Sequence, residues 1–340
     1  MNLIIPMAGR GSRLRPHTLT VPKPLVHVAG KPIVERLVED IVRTAHDGVD
    51  NICFVTGEFG EDVERELVAV AERLGAKGHI RYQDQPLGTA HAILCGKDFL
   101  DGPVFVAFAD TLFRADFTVD PEADGVLFCQ RIEDPSAFGV VVTDEAGTIV
   151  DYVEKPKEWV GDLAMIGIYA FKDGARLNRE LQHLIDNNIQ KGGEYQLPDA
   201  LRSMTKDGLQ FVPGEVSEWM DCGNKAVTVE TNSRILNILQ EEGRLGEVPA
   251  SATLTDSVIL PPCHIGEGVV IERSVIGPNV TLGPNTVVRD ARISGALIAG
   301  DSVIEHAVID GAMIGANAAW HGTPEDASIG DYSTIGTPRT

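Results

Sequence analysis

The sequence predicts an α/β domain built on one mixed sheet, followed by a short coil of parallel strands. Two observations carry that reading. Between residue 2 and about 242, short β-rich runs alternate with helical patterns, as in a sheet covered by helices on both faces. After "ILNILQEEGRLGEVP" an aliphatic residue followed by a small or polar one recurs about every six positions. The expected organisation is an α/β domain over 1–242, a linker over 243–252, and the coil with a C-terminal tail over 253–340.

"LIIPM", "NICFVT", "HIRYQ" and "VFVAFAD" read as the first strands. Between them, "KPIVERLVEDIVRTAHD" places Pro32 where a first helical turn tolerates it, with Ile33, Leu37 and Ile41 four apart on one face. "EDVERELVAVAERLG" is a second helix, closed by glycine. A second group of strands ("GVLFCQRI", "GVVVTD", "TIVDYVEK", "AMIGIYAF") precedes helices near 176–187 and 197–205. In the coil the repeated units are Ile265-Gly266, Ile271-Glu272, Ile276-Gly277, Leu282-Gly283, Val288-Arg289, Ile298-Ala299, Ile304-Glu305 and Ile314-Gly315, with slips near Ile276 and Ile293. Each unit makes one face of a triangular turn and points its aliphatic residue inward. These units predict two to three turns, few enough that a homo-oligomer is expected to cover the open end.

The 340 residues are 43% hydrophobic and 23% charged, a globular composition. With 50 acidic residues against 29 basic ones, the net charge of -21 argues against nucleic-acid or anionic-membrane partners. Any anion must be captured locally. Cys53, Cys95, Cys129, Cys222 and Cys263 form no paired spacing, so neither a disulfide framework nor a thiolate zinc site is expected. No leader and no run long enough to span a membrane is read, and a reducing cytoplasm is the expected location.

The stretch after the first strand, "AGRGSRLRP", is strongly basic. Gly9 and Gly11 let the backbone approach an anion, and Arg10, Arg13 and Arg15 supply charge, as in a phosphate cradle. A dinucleotide fingerprint would need glycine at Leu14, and a P-loop fails where Gly30 and Lys31 are followed by Pro32. From these residues alone a solvated loop and a phosphate site both stand open.

The longer run "G-x-G-S-R-L-x-P-x-T-x-x-x-P-K-P-L", continued by "V-x-G-K-P", resembles the N-terminal signature of the sugar-1-phosphate nucleotidylyltransferases. The resemblance covers nearly the whole chain. It implies a Rossmann-like nucleotide-diphospho-sugar transferase domain followed by a left-handed parallel β-helix, with Mg2+ as cofactor and a nucleoside triphosphate, bound first, and a sugar 1-phosphate as partners. It implies catalytic roles for Arg13 and Lys23, and nucleotide binding by Ala8, Gly9, Gly11, Ser12 and Arg13. "YQDQPLGTAHA" resembles the base-reading segment, which gives Gln83, Gly88 and Thr89; an amide donates and accepts at once, as an imide edge requires. "ADTLF" and "EWMDCGN" imply Asp110 and Asp221 as metal ligands, a set that suits magnesium. "AFGVVVTD" and "DYVEKPKE" imply that Gly139, Glu154 and Lys155 bind the sugar phosphate. Met165, where the branch for N-acetylated sugars often has asparagine, favours a plain hexose such as glucose. "GGEYQLPDAL" adds Glu194 near the sugar.

dTTP and UTP both fit, since thymine and uracil share one imide edge. Three other readings remain. The acceptor is another phosphorylated molecule, because Pro6 and Met7 depart from the commoner "LAAGxGTR"; or the coil is an acyltransferase using His264, His306 or His321; or the chain is a silent regulatory relative.

Overall fold

The computed structural model describes the chain apart from residues 10, 46–47, 118, 120–122 and 324–340. Arg10 and most of the C-terminal tail therefore lie outside the described residues. The chain divides into two compact units, Met1–Thr231 and Asn232–Thr340. The division falls within a helix, ahead of its end.

The first unit runs β1 (Asn2–Pro6), β2 (His27–Val28), β3 (Lys31–Pro32), α1 (Ile33–Thr44), β4 (Asn51–Thr56), α2 (Glu61–Arg73), β5 (Lys77–Tyr82), α3 (Thr89–Leu94), β6 (Val104–Ala107) and β7 (Thr111–Arg114). It continues with β8 (Gly125–Arg131), β9 (Gly139–Thr143), β10 (Ile149–Glu154), β11 (Leu163–Phe171), α4 (Gly174–Asp186), α5 (Leu197–Lys206), β12 (Phe211–Glu215), β13 (Glu218–Asp221) and the start of α6 (Lys225–Glu241). The main sheet has the order β10-β9-β11-β6-β1-β4-β5, with β8 beside β11 and β12 beside β8. β1 pairs parallel to β4 and β6, and β4 to β5, whereas β11 runs antiparallel to β6. One mixed sheet is thus observed, as expected. Because β1, β4, β5 and β6 point the same way, their carboxyl ends open along one edge, where such sheets hold ligands.

The helices follow their periodicity. Ile33, Leu37 and Ile41 are all fully buried on one face of α1. Pro32 stands just ahead of that helix, in a two-residue hairpin with β2, rather than in its first turn. The hairpin turns at Ala29 and Gly30, both at positive φ, and the buried Arg36 donates to the carbonyls of Val28 and Ala29. The glycine of "GKP" is thus a hairpin turn. α2 ends at Arg73, and Gly75 follows at φ 81. The pairing of β7 with β13 joins residues far apart in sequence, and neither strand is legible from local pattern.

The second unit is the three-sided β-helix. Its three parallel sheets hold five, four and four strands among the described residues. The register stacks Leu254, Ile271, Val288, Ile304 and Trp320 in one column. Ile259, Ile276, Ile293 and Ile309 form the second, and Ile265, Leu282, Ile298 and Ile314 the third. Every repeated aliphatic residue read from the sequence falls in a column. The turn count does not hold: four-stranded sheets make four turns, not two to three. The repeated units named from the sequence omit Leu254, Ile293 and Ile309, which fit the motif, as well as Ile259 and Trp320, where Leu260 and the tryptophan itself break it. Outside, Glu272, Arg289 and Glu305 form a column of alternating charge, with Arg289 bonded to both carboxylates. The second half of α6 belongs to this unit: fully buried Asn232 accepts from Thr281 Oγ1 at 2.7 Å, and Asn237 Nδ2 donates to Asn279 Oδ1 at 3.0 Å.

The columns form the coil's core, and Ile276 is fully buried in it, so Ile276→Ala is expected to cost about 2–5 kcal/mol. Val308→Thr, at a position 82% exposed, is expected to change stability by less than about 0.5 kcal/mol. Denaturant unfolding of the two full-length variants checks the contrast.

Candidate active site

The site gathers where β1, β5 and β6 end. Leu3, Ile4 and Ile5 are fully buried in β1 and fix the start of the basic loop. Met7 N–H then donates to Val55 O at 2.8 Å, which sets the loop's exit from the sheet. Ser12–Leu14 form a single 3-10 turn whose Leu14 is buried, so the residue that rules out a dinucleotide fingerprint is the loop's anchor. Arg13, in the middle of that turn, is exposed.

Lys23 opens a second short turn, Lys23–Leu25, and is itself buried. Its Nζ donates to Asp110 Oδ2 at 3.2 Å, which leaves the ammonium group paired although nearly dry. Gly11 makes this possible. It sits at φ 58, and a Cβ there would stand 2.8 Å from Lys23 Cβ. Gly9 differs: a Cβ on it would meet nothing within 4 Å, because it faces open space.

Asp221 ends β13 opposite Thr111, and the next residue, Cys222, donates its N–H to Asp110 O at 3.1 Å. The two carboxylates expected to hold a metal are thereby brought to one place. Burial pushes the Asp221 carboxyl above the usual range; Lys23 opposes the shift, Asp110 adds to it, and Arg13 opposes it too. Gly223 N–H bonds the same carboxylate, and a Cβ at 223 would lie 2.7 Å from Asp221 Oδ2. Thr231, buried in α6, donates its hydroxyl to Asp221 O at 2.7 Å. No sequence motif pointed to Thr231; only the fold brings it there. Among the described residues no cluster of three or more His, Cys, Asp or Glu could hold a metal. Two carboxylates, one of them uncomfortable as an anion where it stands, are a donor set that fits a hard divalent cation keeping water and phosphate ligands.

A cavity of about 420 Å³ lies between these elements. Ala8, Gly9, Gly11, Ser12, Arg13, Lys23 and Asp110 line one side, and Gln83, Gly88 and Thr89 the other. Asp221 adjoins it behind Gly223. Glu194, expected near the sugar, lines this same cavity. Gly139, Glu154 and Lys155 do not. They form their own group, in which Gly139 pairs with Glu154 across β9 and β10 and Lys155 N–H donates to Phe138 O at 3.0 Å. A Cβ at Gly139 would come within 2.6 Å of Met165 Cε and 2.9 Å of Glu154 Oε2, so glycine, glutamate and methionine meet there. Phe138 packs edge-on against Trp219 at 4.8 Å between ring centroids, which sets this group against the strand that ends in Asp221. The Trp219 indole N–H is buried and has no acceptor among the described residues.

Gly88 and Thr89 have a structural task beside the one expected. Gly88, at φ 113, would set a Cβ 2.4 Å from Tyr195 O, and Thr89 Oγ1 accepts from Leu197 N–H at 3.0 Å. Tyr195 N–H and O are bonded to Leu87 O and Ala90 N–H, so the 194–197 segment is docked on the 87–90 turn. His306 and His321 lie near Asp290 at 3.9 Å and Glu305 at 2.9 Å, as members of the outer charge columns. His264 belongs to the strand Cys263–Ile265.

Comparison with known proteins decides the family. A family model described as "Nucleotidyl transferase" matches residues 3–238. The chain belongs to the nucleotidyl transferase family. This nucleotidyl transferase is 29% identical to a glucose-1-phosphate thymidylyltransferase of Streptomyces antibioticus over 93% of its own length and 92% of that protein. It is 30% identical to the low-salt glycan biosynthesis nucleotidyltransferase Agl11 of Haloferax volcanii, over 89% of each chain. A solved UDP-glucose pyrophosphorylase complexed with UDP-glucose has the same fold, with a TM-score of 0.56 at 23% identity, covering 70% of this chain and 98% of that one. The resemblance drawn from the N-terminal signature holds, and the nucleotidyl transferase is an enzyme. Among the described residues, no helix is long and apolar enough to cross a membrane.

The two loop glycines should separate by test. Gly11→Ala is expected to destabilise the fold by about 1–3 kcal/mol through strain and the displaced Lys23. Gly9→Ala is expected to fold within about 0.5 kcal/mol of the native chain, since its methyl group enters open space. Urea unfolding of both variants reads the difference.

Proposed function

We propose that this enzyme transfers a nucleotidyl group from a nucleoside triphosphate, dTTP or UTP, to a sugar 1-phosphate, glucose 1-phosphate by preference, releasing pyrophosphate. The observation that carries this reading is the convergence on one cavity of a glycine loop, Arg13, buried Lys23 and Asp110, with Asp221 adjoining. An oxygen of the sugar phosphate attacks the α-phosphorus in line, a new P–O bond forms, and the bond to the β-phosphate bridging oxygen breaks with pyrophosphate leaving. Positioning and neutralisation of spread negative charge are the protein's main contributions to such a reaction. Arg13 offers a forked, permanent charge to the triphosphate, and Lys23 a point charge beside the reacting phosphates. Asp110 and Asp221 would hold Mg2+, which supplies further neutralisation of phosphate oxygens when bound. Gly139, Glu154 and Lys155 take the sugar phosphate, and Met165 at Gly139 leaves no amide for an N-acetyl group. The similarity to a glucose-1-phosphate thymidylyltransferase along nearly the whole chain supports the choice of a glucosyl acceptor.

Pyrophosphate release with magnesium tests the reading: UTP, dTTP, GTP, CTP and ATP are each paired with glucose 1-phosphate, N-acetylglucosamine 1-phosphate and mannose 1-phosphate. Turnover with UTP or dTTP and glucose 1-phosphate is expected; none in any pairing would sink the proposal. Lys23→Met is expected to lower kcat by about 10²–10³-fold. Asp221→Asn should lower turnover by orders of magnitude without loss of stability, because burial already disfavours the anion at that position. Parallel turnover and unfolding measurements check it. Thr231→Val should weaken Mn2+ binding, read by titration, and Thr231→Ser should restore it; equal affinity in both would remove Thr231 from the site.

A further inference from the structure

Gln83 follows β5, and its main-chain N–H is bonded to Thr56 O at 2.9 Å. Its side-chain amide carries two hydrogens on Nε2, and both are engaged inside the protein. Nε2 donates to Gly88 O at 3.3 Å and stands 3.2 Å from His91 Nδ1. A main-chain carbonyl can only accept, so Gly88 decides which end of the amide faces it. Turning the amide over would set oxygen against oxygen. The second hydrogen is then met by His91 Nδ1, which must be the ring nitrogen without a proton. Burial of the ring holds its pKa below the usual value and favours that neutral form. The two-handed amide expected from sequence is therefore one-handed in the fold.

We propose that His91 is a positioning residue that, together with the Gly88 carbonyl, fixes Gln83 so that only its Oε1 is offered to the base. This rests on the nucleotidyl-transfer reading and deepens it, because an acceptor alone selects by base edge. Uracil and thymine carry N–H at N3, and guanine carries N–H at N1. Cytosine and adenine present a bare ring nitrogen at the corresponding point and reach Oε1 only by moving an exocyclic amine into place. The site is built for a nucleotide whose ring donates.

Titration calorimetry of the full-length protein with UTP, GTP, CTP and ATP, without acceptor, reads this selectivity directly. The native protein is expected to bind UTP about tenfold more tightly than CTP, the size of one hydrogen bond made or missed. In His91→Leu, or His91→Met where leucine disturbs the fold by circular dichroism, that ratio should fall towards one. His91→Asn, which sets an amide oxygen near the place of Nδ1, should restore it. A native preference for CTP or ATP overturns the proposal, and so does a uniform loss of affinity for all four nucleotides in His91→Leu, which marks a purely structural role. Native selectivity unchanged in the leucine variant also overturns it, while pyrophosphate release would leave the function itself standing. A native protein that binds no nucleotide at all overturns both.

Discussion

A buried ammonium group needs a partner, and in this enzyme that need organises the site. Lys23 is held under the basic loop with its charge on Asp110, and the rest of the arrangement accommodates that pair. Gly11 lacks a side chain where Lys23 passes. Asp110 in turn is tied through its carbonyl to Cys222, and so to Asp221. One lysine thus connects the loop after β1, the end of β6 and the end of β13, three segments far apart in the sequence.

The glycines of the site divide by what they face. Gly11 and Gly88 are required by the protein's own packing, against Lys23 and against the Tyr195 backbone. Gly9 faces open cavity, where a side chain would meet nothing within 4 Å. A motif read as a row of ligand-binding glycines therefore mixes two physical causes. Gln83 is likewise held by the protein itself, its amide nitrogen directed at Gly88 O and His91 Nδ1.

The coil solves a different problem by simple means. No single turn buries enough apolar surface to stand alone, so identical registers stack three aliphatic columns into one core. Its histidines at 306 and 321 belong to the charge columns outside that core.

By itself the sequence determined the family, the mixed α/β sheet, the aliphatic columns of the coil and most of the residues around the cavity. These are legible because they are local: a strand followed by a glycine-arginine turn, a period of about six, a carboxylate at a strand end. The length of the coil was misread because Trp320 and Leu260 break the motif and because Leu254 and Ile309, which fit it, were left out of the count. Only the tertiary structure decided which groups meet. The β7–β13 ribbon that aligns Asp221, the Thr231 hydroxyl on the Asp221 carbonyl, the Phe138–Trp219 contact and the His91 ring beside Gln83 are pairings set by packing across the fold. Neither spacing nor residue type encodes them, because a hydrogen bond between distant residues leaves no local pattern. The direction in which a side chain is held is a property of all the elements packed around it.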